Sequence, residues 1–233
     1  MGVRRVVYTI SIHALGRPPM DVTIDESMPF DAENPSGEYD RTKAEASLIV
    51  QQAARDGQDA VIVCPTGVLG PYDYRGSEMG MLMWSWARQK VNFLVDGGYD
   101  WVDVRDVAQG EILAAERGQS GETYILSGEQ VGLLGLWKWV KDVTRLRSMH
   151  ITVPFSLAKA VTPLAALYYR LTKTKPQFTE YSLGTIASNS NICNTKARRD
   201  LGFSSRSLQE TVTDTIHWWA ENYHQVATTL RSG

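Results

Sequence analysis

Cysteine is scarce in this chain: Cys64 and Cys193 are the only two in 233 residues. Two thiols cannot make a disulfide framework. Neither sits in a C-x-x-C or histidine-rich setting, so no metal site is indicated, and a reducing, cytoplasmic compartment suits the chain. Cys64 interrupts an apolar run and reads as a small core residue. Long hydrophobic runs are also missing. The most apolar stretch, 161–171, contains Pro163 and Arg170 and is too short to span a bilayer. No signal peptide is evident. Excess charge of one sign is absent: 24 Lys and Arg against 26 Asp and Glu give a formal net charge of −2. That excludes a general attraction to nucleic acid. The short run Lys196-Ala197-Arg198-Arg199 is closed by Asp200 and reads as the solvated face of a helix. No G-x-x-G-x-x-G or G-x-G-x-x-G occurs anywhere.

What is present is an ordinary globular composition, 43% hydrophobic and 21% charged, enough for one large domain or two small ones. Residues 3–11 read as a buried strand rich in valine. Residues 16–37 form a long connection in which Pro18, Pro19, Pro29 and Pro35 break any helix. Loops of that length are usually functional. A helix follows to about Asp56, with Ser36 as N-cap and Gly57 as stop. A short strand from Asp59 ends at Pro65. Ser77 caps a helix to about Gln89, whose methionines and tryptophans read mostly as core. Strands are expected at 91–95 and 100–102, then a helix capped by Asp103, then a strand at 123–126. Beyond residue 131 helices dominate, at 133–146, 155–173, 176–186, 194–201 and 207–225, with an extended piece at 149–153 and a frayed tail from Gln225.

Tyr39 and Lys43 are four apart, which on a helix places both on one face. A free phenol titrates near ~10, and a neighbouring positive charge favours its phenolate. Such a tyrosine can exchange a proton with a substrate oxygen. Ser11, at the end of the first strand, is a candidate second donor to that oxygen. His13 follows Ser11 closely and is placed to face a substrate. His150, His217 and His224 are not clustered with it. By itself Y-x-x-x-K is a weak pattern.

Four blocks in order strengthen it: Val6-Val7-Tyr8-Thr9-Ile10-Ser11; Tyr39 to Lys43; Val61-Ile62-Val63-Cys64-Pro65-Thr66-Gly67-Val68; and Val102-Asp103-Val104-Arg105-Asp106-Val107-Ala108. Together they resemble the extended short-chain dehydrogenase/reductases, which include the NAD-dependent epimerases and dehydratases and the dihydroflavonol reductases. The resemblance implies an α/β fold. Its core is a partial Rossmann-type parallel sheet with the first strands absent, followed by an α-rich C-terminal substrate portion. Residues 1–130 would form the cofactor half and 131–233 the substrate portion, intertwined with 66–102.

The resemblance also implies NAD or NADP as cofactor, held by Tyr39, Lys43, Pro65, Thr66, Gly67 and Val68. Ser11, Tyr39 and Lys43 would be catalytic, and Ser11, His13 and Tyr72 would touch a small-molecule substrate, a nucleotide-sugar or a small ketone or alcohol. A homodimer is implied as well. Ile10 departs from the family pattern, which usually has a serine there. The glycine fingerprint that cradles the pyrophosphate belongs ahead of the serine strand in such proteins. Without it cofactor binding is expected to be weak. The alternative expectation is therefore a catalytically impaired, N-terminally truncated remnant serving as scaffold or oligomer partner.

Overall fold

The computed structural model describes residues 2–35, 37–160 and 180–232. In chain order its elements begin with β1 (Val6–Thr9), α1 (Glu38–Arg55), β2 (Ala60–Pro65), β3 (Gly67–Leu69), α2 (Glu78–Arg88) and β4 (Val91–Val95). There follow β5 (Gly98–Asp103), α3 (Val104–Arg117), β6 (Thr123–Leu126), β7 (Glu129–Gly132), α4 (Leu133–Thr144) and β8 (Met149–Val153). The last are α5 (Glu180–Ile186), α6 (Thr195–Leu201) and α7 (Leu208–Ser232). The chain forms two compact units. The first comprises Met1–Val68, Asp100–Gln130 and Asn189–Arg206; the second comprises Leu69–Tyr99, Val131–Ser188 and Ser207–Gly233.

The first unit is built on a parallel sheet in the order β1-β2-β6. β2, Ala-Val-Ile-Val-Cys-Pro, is flanked on both sides and all six residues are buried. A continuous apolar run is what a central parallel strand requires. β1 has only β2 beside it among the described residues, and its Val6, Val7 and Tyr8 are half-buried, not buried as the valine-rich pattern suggested. An edge position explains the difference. The pairing runs past β1, with the Ile10 amide donating to the Val63 carbonyl at 2.9 Å. Val61, Val63, Val102, Val107, Leu113, Tyr124, Leu126, Leu201 and Phe203 form the apolar core beneath it. Deep burial raises the Cys64 thiol well above its ordinary value and keeps it inert.

The long connection after Ser11 is tied down from end to end. The Asn189 amide donates to the carbonyls of Pro19 and Val22, both at 2.7 Å, and Ile24 bridges to Ile192. Glu26 accepts from the Ile125 amide at 2.9 Å, which satisfies a backbone donor of β6.

The second unit is held by helices and aromatic rings. α2, α4 and α7 pack on one another. Trp84 stacks on Trp219 at 6.2 Å, and Trp218 meets Trp219 edge-on at 5.7 Å. Ser77 caps α2 by accepting from the Gly80 amide at 3.0 Å. β4 and β8 pair in parallel, Val91 with Met149 through Val95 with Val153. The expected frayed tail is helix as far as Ser232. Of the helices expected at 155–173 and 176–186, residues 155–160 and 180–186 are helical and the rest lie outside the described residues. No described helix is long and apolar enough to cross a membrane, and the described residues hold no cluster of metal-ligating side chains.

Candidate active site

All but one of the residues singled out from the sequence lie in the first unit. Ser11 is not part of β1. It caps a single 3₁₀ turn, Ile12–Ala14, and its Oγ accepts from the His13 amide at 3.3 Å. Among the described residues its own hydroxyl proton finds no acceptor, so that proton is available to a ligand. The turn packs on α1. Tyr39 and Lys43 stand in the first turns of α1, with the Lys43 ammonium 5.6 Å from the centre of the Tyr39 ring. Tyr39 is 49% exposed. Gly37 occupies the N-cap with φ 153°, backbone that favours glycine. The expected cap, Ser36, lies outside the described residues. Gly57, with φ 100°, ends the helix as expected.

A polar chain joins the serine turn to the tyrosine helix, and the sequence did not reveal it. The Arg17 guanidinium donates to His13 Nδ1 at 3.0 Å and to Asp40 Oδ2 at 2.7 Å. A guanidinium only donates, so Nδ1 is the acceptor and the His13 proton sits on Nε2. Burial, reinforced by the Arg17 charge and opposed by Asp40, lowers the His13 pKa to about 4. His13 is therefore neutral at pH 7. Asp40 is fully buried beside Tyr39, and a buried carboxylate needs such a partner.

Pro65 ends β2 and pairs with Leu126, and the Thr66 amide donates to the Leu126 carbonyl at 3.2 Å. Gly67 is required by packing: a Cβ there would lie 2.5 Å from the Trp101 ring. Val68 is 41% exposed. Behind this loop lies Asp100, buried, accepting from the Gly128 amide at 3.0 Å. Burial raises its carboxyl pKa to about 6, with the nearby Thr66 hydroxyl and the Gly128 amide pulling the other way. Gly128 is confined too, since a Cβ would meet the Trp101 carbonyl. Asp106 holds Arg206, accepting from its amide at 2.7 Å and its guanidinium at 2.8 Å. The remaining candidate, Tyr72, belongs to the second unit. It is 60% exposed and has φ 71°, a conformation rare outside glycine.

The donor set fits a nicotinamide ribose. An ammonium and a phenol share one helix face, and Lys43 makes no ion pair among the described residues. The Thr66–Val68 backbone is held at the carboxyl end of a parallel strand, where open α/β sheets bind ligands.

The model of the NAD dependent epimerase/dehydratase family matches residues 1–127. Sterol demethylase protein B of Methylococcus capsulatus is 30% identical over 224 residues, covering 94% of this chain and 67% of that protein. A putative dihydroflavonol 4-reductase of Synechocystis is 30% identical over 231 residues, 97% of this chain and 67% of that protein. The crystal structure of a nucleoside-diphosphate-sugar epimerase from Pseudomonas aeruginosa superposes with a TM-score of 0.75 at 26% identity, covering 94% of this chain and 68% of that one. The chain thus spans about two-thirds of the length of these relatives. On the family match and on these relatives alike, this chain belongs to the NAD dependent epimerase/dehydratase family.

Proposed function

We propose that the chain carries out NAD(P)-dependent oxidoreduction of a carbonyl or alcohol through Ser11, Tyr39 and Lys43. The observation that carries this reading is the pairing of Tyr39 and Lys43 on one exposed face of α1, with the Ser11 turn packed against that helix. When bound, a nicotinamide supplies or accepts the hydride. The rest of the chemistry belongs to the chain. In the reductive direction Tyr39 gives its phenolic proton to the substrate oxygen. Ser11 donates a hydrogen bond to the same oxygen and orients the carbonyl. Lys43 holds the ribose hydroxyls and offsets the negative charge that develops on the Tyr39 oxygen as its proton leaves. The Arg17 bridge keeps the serine turn and the tyrosine helix in register, and proximity of that kind is a large part of catalysis. Pro65 to Val68 line the nicotinamide face, and His13 contributes to the substrate side.

The names of the two 30%-identical relatives, a sterol demethylase component and a dihydroflavonol reductase, favour a ring ketone or alcohol over a nucleotide-sugar. The test is turnover on a panel of both classes with either cofactor. Tyr39→Phe should lower the rate by about 10²–10⁴-fold with the melting temperature unchanged, because the phenol is half exposed. Turnover undiminished in that variant would end the assignment.

A further inference from the structure

The second unit carries a feature that the proposed site does not use and that does not depend on it. An open cavity of about 700 Å³ is lined by Lys90, Lys141, Asp142, Arg145, Arg147 and Met149, among others. Four cations face one acid there. Lys90, Arg145 and Arg147 are exposed, and none of the four forms an ion pair among the described residues. Lys141 lies instead over the Trp137 ring at 5.2 Å. Uncompensated cations gathered in one place suit an anionic partner.

The same cavity opens onto an apolar sheet face. In β4 the residues Asn92 and Leu94 point inward and are buried, while Val91 and Phe93 alternate outward at 42% and 59% exposure. The parallel register places Met149 opposite Val91 and Ile151 opposite Phe93, on the same face, at 61% and 46% exposure. Four large apolar side chains in one patch, bordered by four cations, are more than scattered surface hydrophobes. A soluble anion would engage the cations and leave the apolar residues in water. An anionic lipid bilayer engages both, with basic side chains at the headgroups and apolar ones in the acyl boundary.

We propose that the β4–β8 face and its cationic border dock this protein reversibly on anionic membranes. The test is co-sedimentation of the purified chain with phosphatidylcholine vesicles, with and without phosphatidylglycerol. Binding is expected only when phosphatidylglycerol is present, and it should fall as salt is raised. Lys90→Gln and Arg147→Gln should each weaken it about fivefold. Phe93→Ser should weaken it without changing the salt dependence. These positions are exposed, so folding should survive, and circular dichroism verifies that it does. The salt titration uses the unaltered chain and needs no variant. Absence of binding to the mixed vesicles would overturn the proposal, as would binding by all three variants as tight as that of the unaltered chain. Saturable binding of inorganic phosphate with no vesicle binding would assign the cations to a soluble anion instead. Light scattering that shows a dimer broken by Phe93→Ser would assign the face to a second copy.

Discussion

The two units of this chain solve the problem of a stable interior with different materials. The first buries Asp40, Asp100, Asp103 and Asp106 around an aliphatic parallel sheet; among the described residues the second buries no carboxylate. The second holds six of the seven tryptophans, at 84, 86, 137, 139, 218 and 219. Buried charge needs fixed partners, and the partners specify where backbone segments sit. Aromatic packing supplies large buried area with less directional demand. Trp84, Trp137 and Trp219 even bury their indole N–H groups without an acceptor among the described residues. A unit that positions chemical groups is thus fixed by polar bonds, and its companion by shape. His13 and Asp100, whose pKa values move to about 4 and about 6, are both in the first unit.

The sharpest way to break the comparison is to remove a ring. Trp219 is 1% exposed, and Trp219→Ala should cost about 3–5 kcal/mol in denaturant unfolding. That loss should be the same at pH 5 and pH 7.5, since no charge is involved.

Next in size is the pH response of the first unit. Asp100 has its folded pKa raised to about 6 from 3.8, so the folded state binds a proton that the unfolded state has released. Its contribution is fully present below pH 3.8 and is lost as pH rises through about 6; at neutral pH the buried charge costs about 3 kcal/mol. His13 runs the other way. Its folded pKa is lowered to about 4 from 6.5, so its contribution is present above pH 6.5 and lost as pH falls through about 4. Between pH 4 and 6 the two slopes oppose each other. Asp100→Asn, which still accepts from Gly128, should stabilise the protein at pH 7.5 and steepen its acid loss. His13→Gln should flatten that loss. Urea midpoints across pH 4 to 8 measure both, and parallel curves for wild type and Asp100→Asn would refute the burial argument.

The smallest effects compare two glycines. A Cβ on Gly128 would clash with the Trp101 carbonyl, whereas one on Gly184 meets nothing within 4 Å. Gly128→Ala should destabilise by about 1–3 kcal/mol through overpacking. Gly184→Ala, exposed on α5, should stabilise by up to about 1 kcal/mol through helix propensity. Thermal melts of the two variants should move in opposite directions.

Much of this architecture was legible in local sequence. Ser77 and Asp103 announced their helices because capping is a short-range bond between a side chain and an amide two or three residues on. The Y-x-x-x-K helix and the apolar β2 were legible for the same reason, since period and composition are local. What escaped depends on contacts between distant residues. Arg17 and Asp40 are 23 residues apart and meet only because the turn after Ser11 packs on α1. Asp100 gives no sequence signal of being sealed behind the Thr66 loop. The half-burial of β1 could not be read from its valines, because burial depends on neighbours, not on hydrophobicity alone. The tail after Gln225 is polar enough to read as frayed, yet α7 continues to Ser232.

The central claim is that the Tyr39–Lys43 face of α1 holds a nicotinamide ribose. Equilibrium titration of NADH and of NADPH, followed by nicotinamide fluorescence on the unaltered chain and on Lys43→Ala, tests it directly. The expected result is saturable binding of at least one cofactor that Lys43→Ala weakens by about tenfold, a lost hydrogen bond from a charged donor. Binding of unchanged affinity in Lys43→Ala, or none of either cofactor at millimolar concentration, would contradict the account.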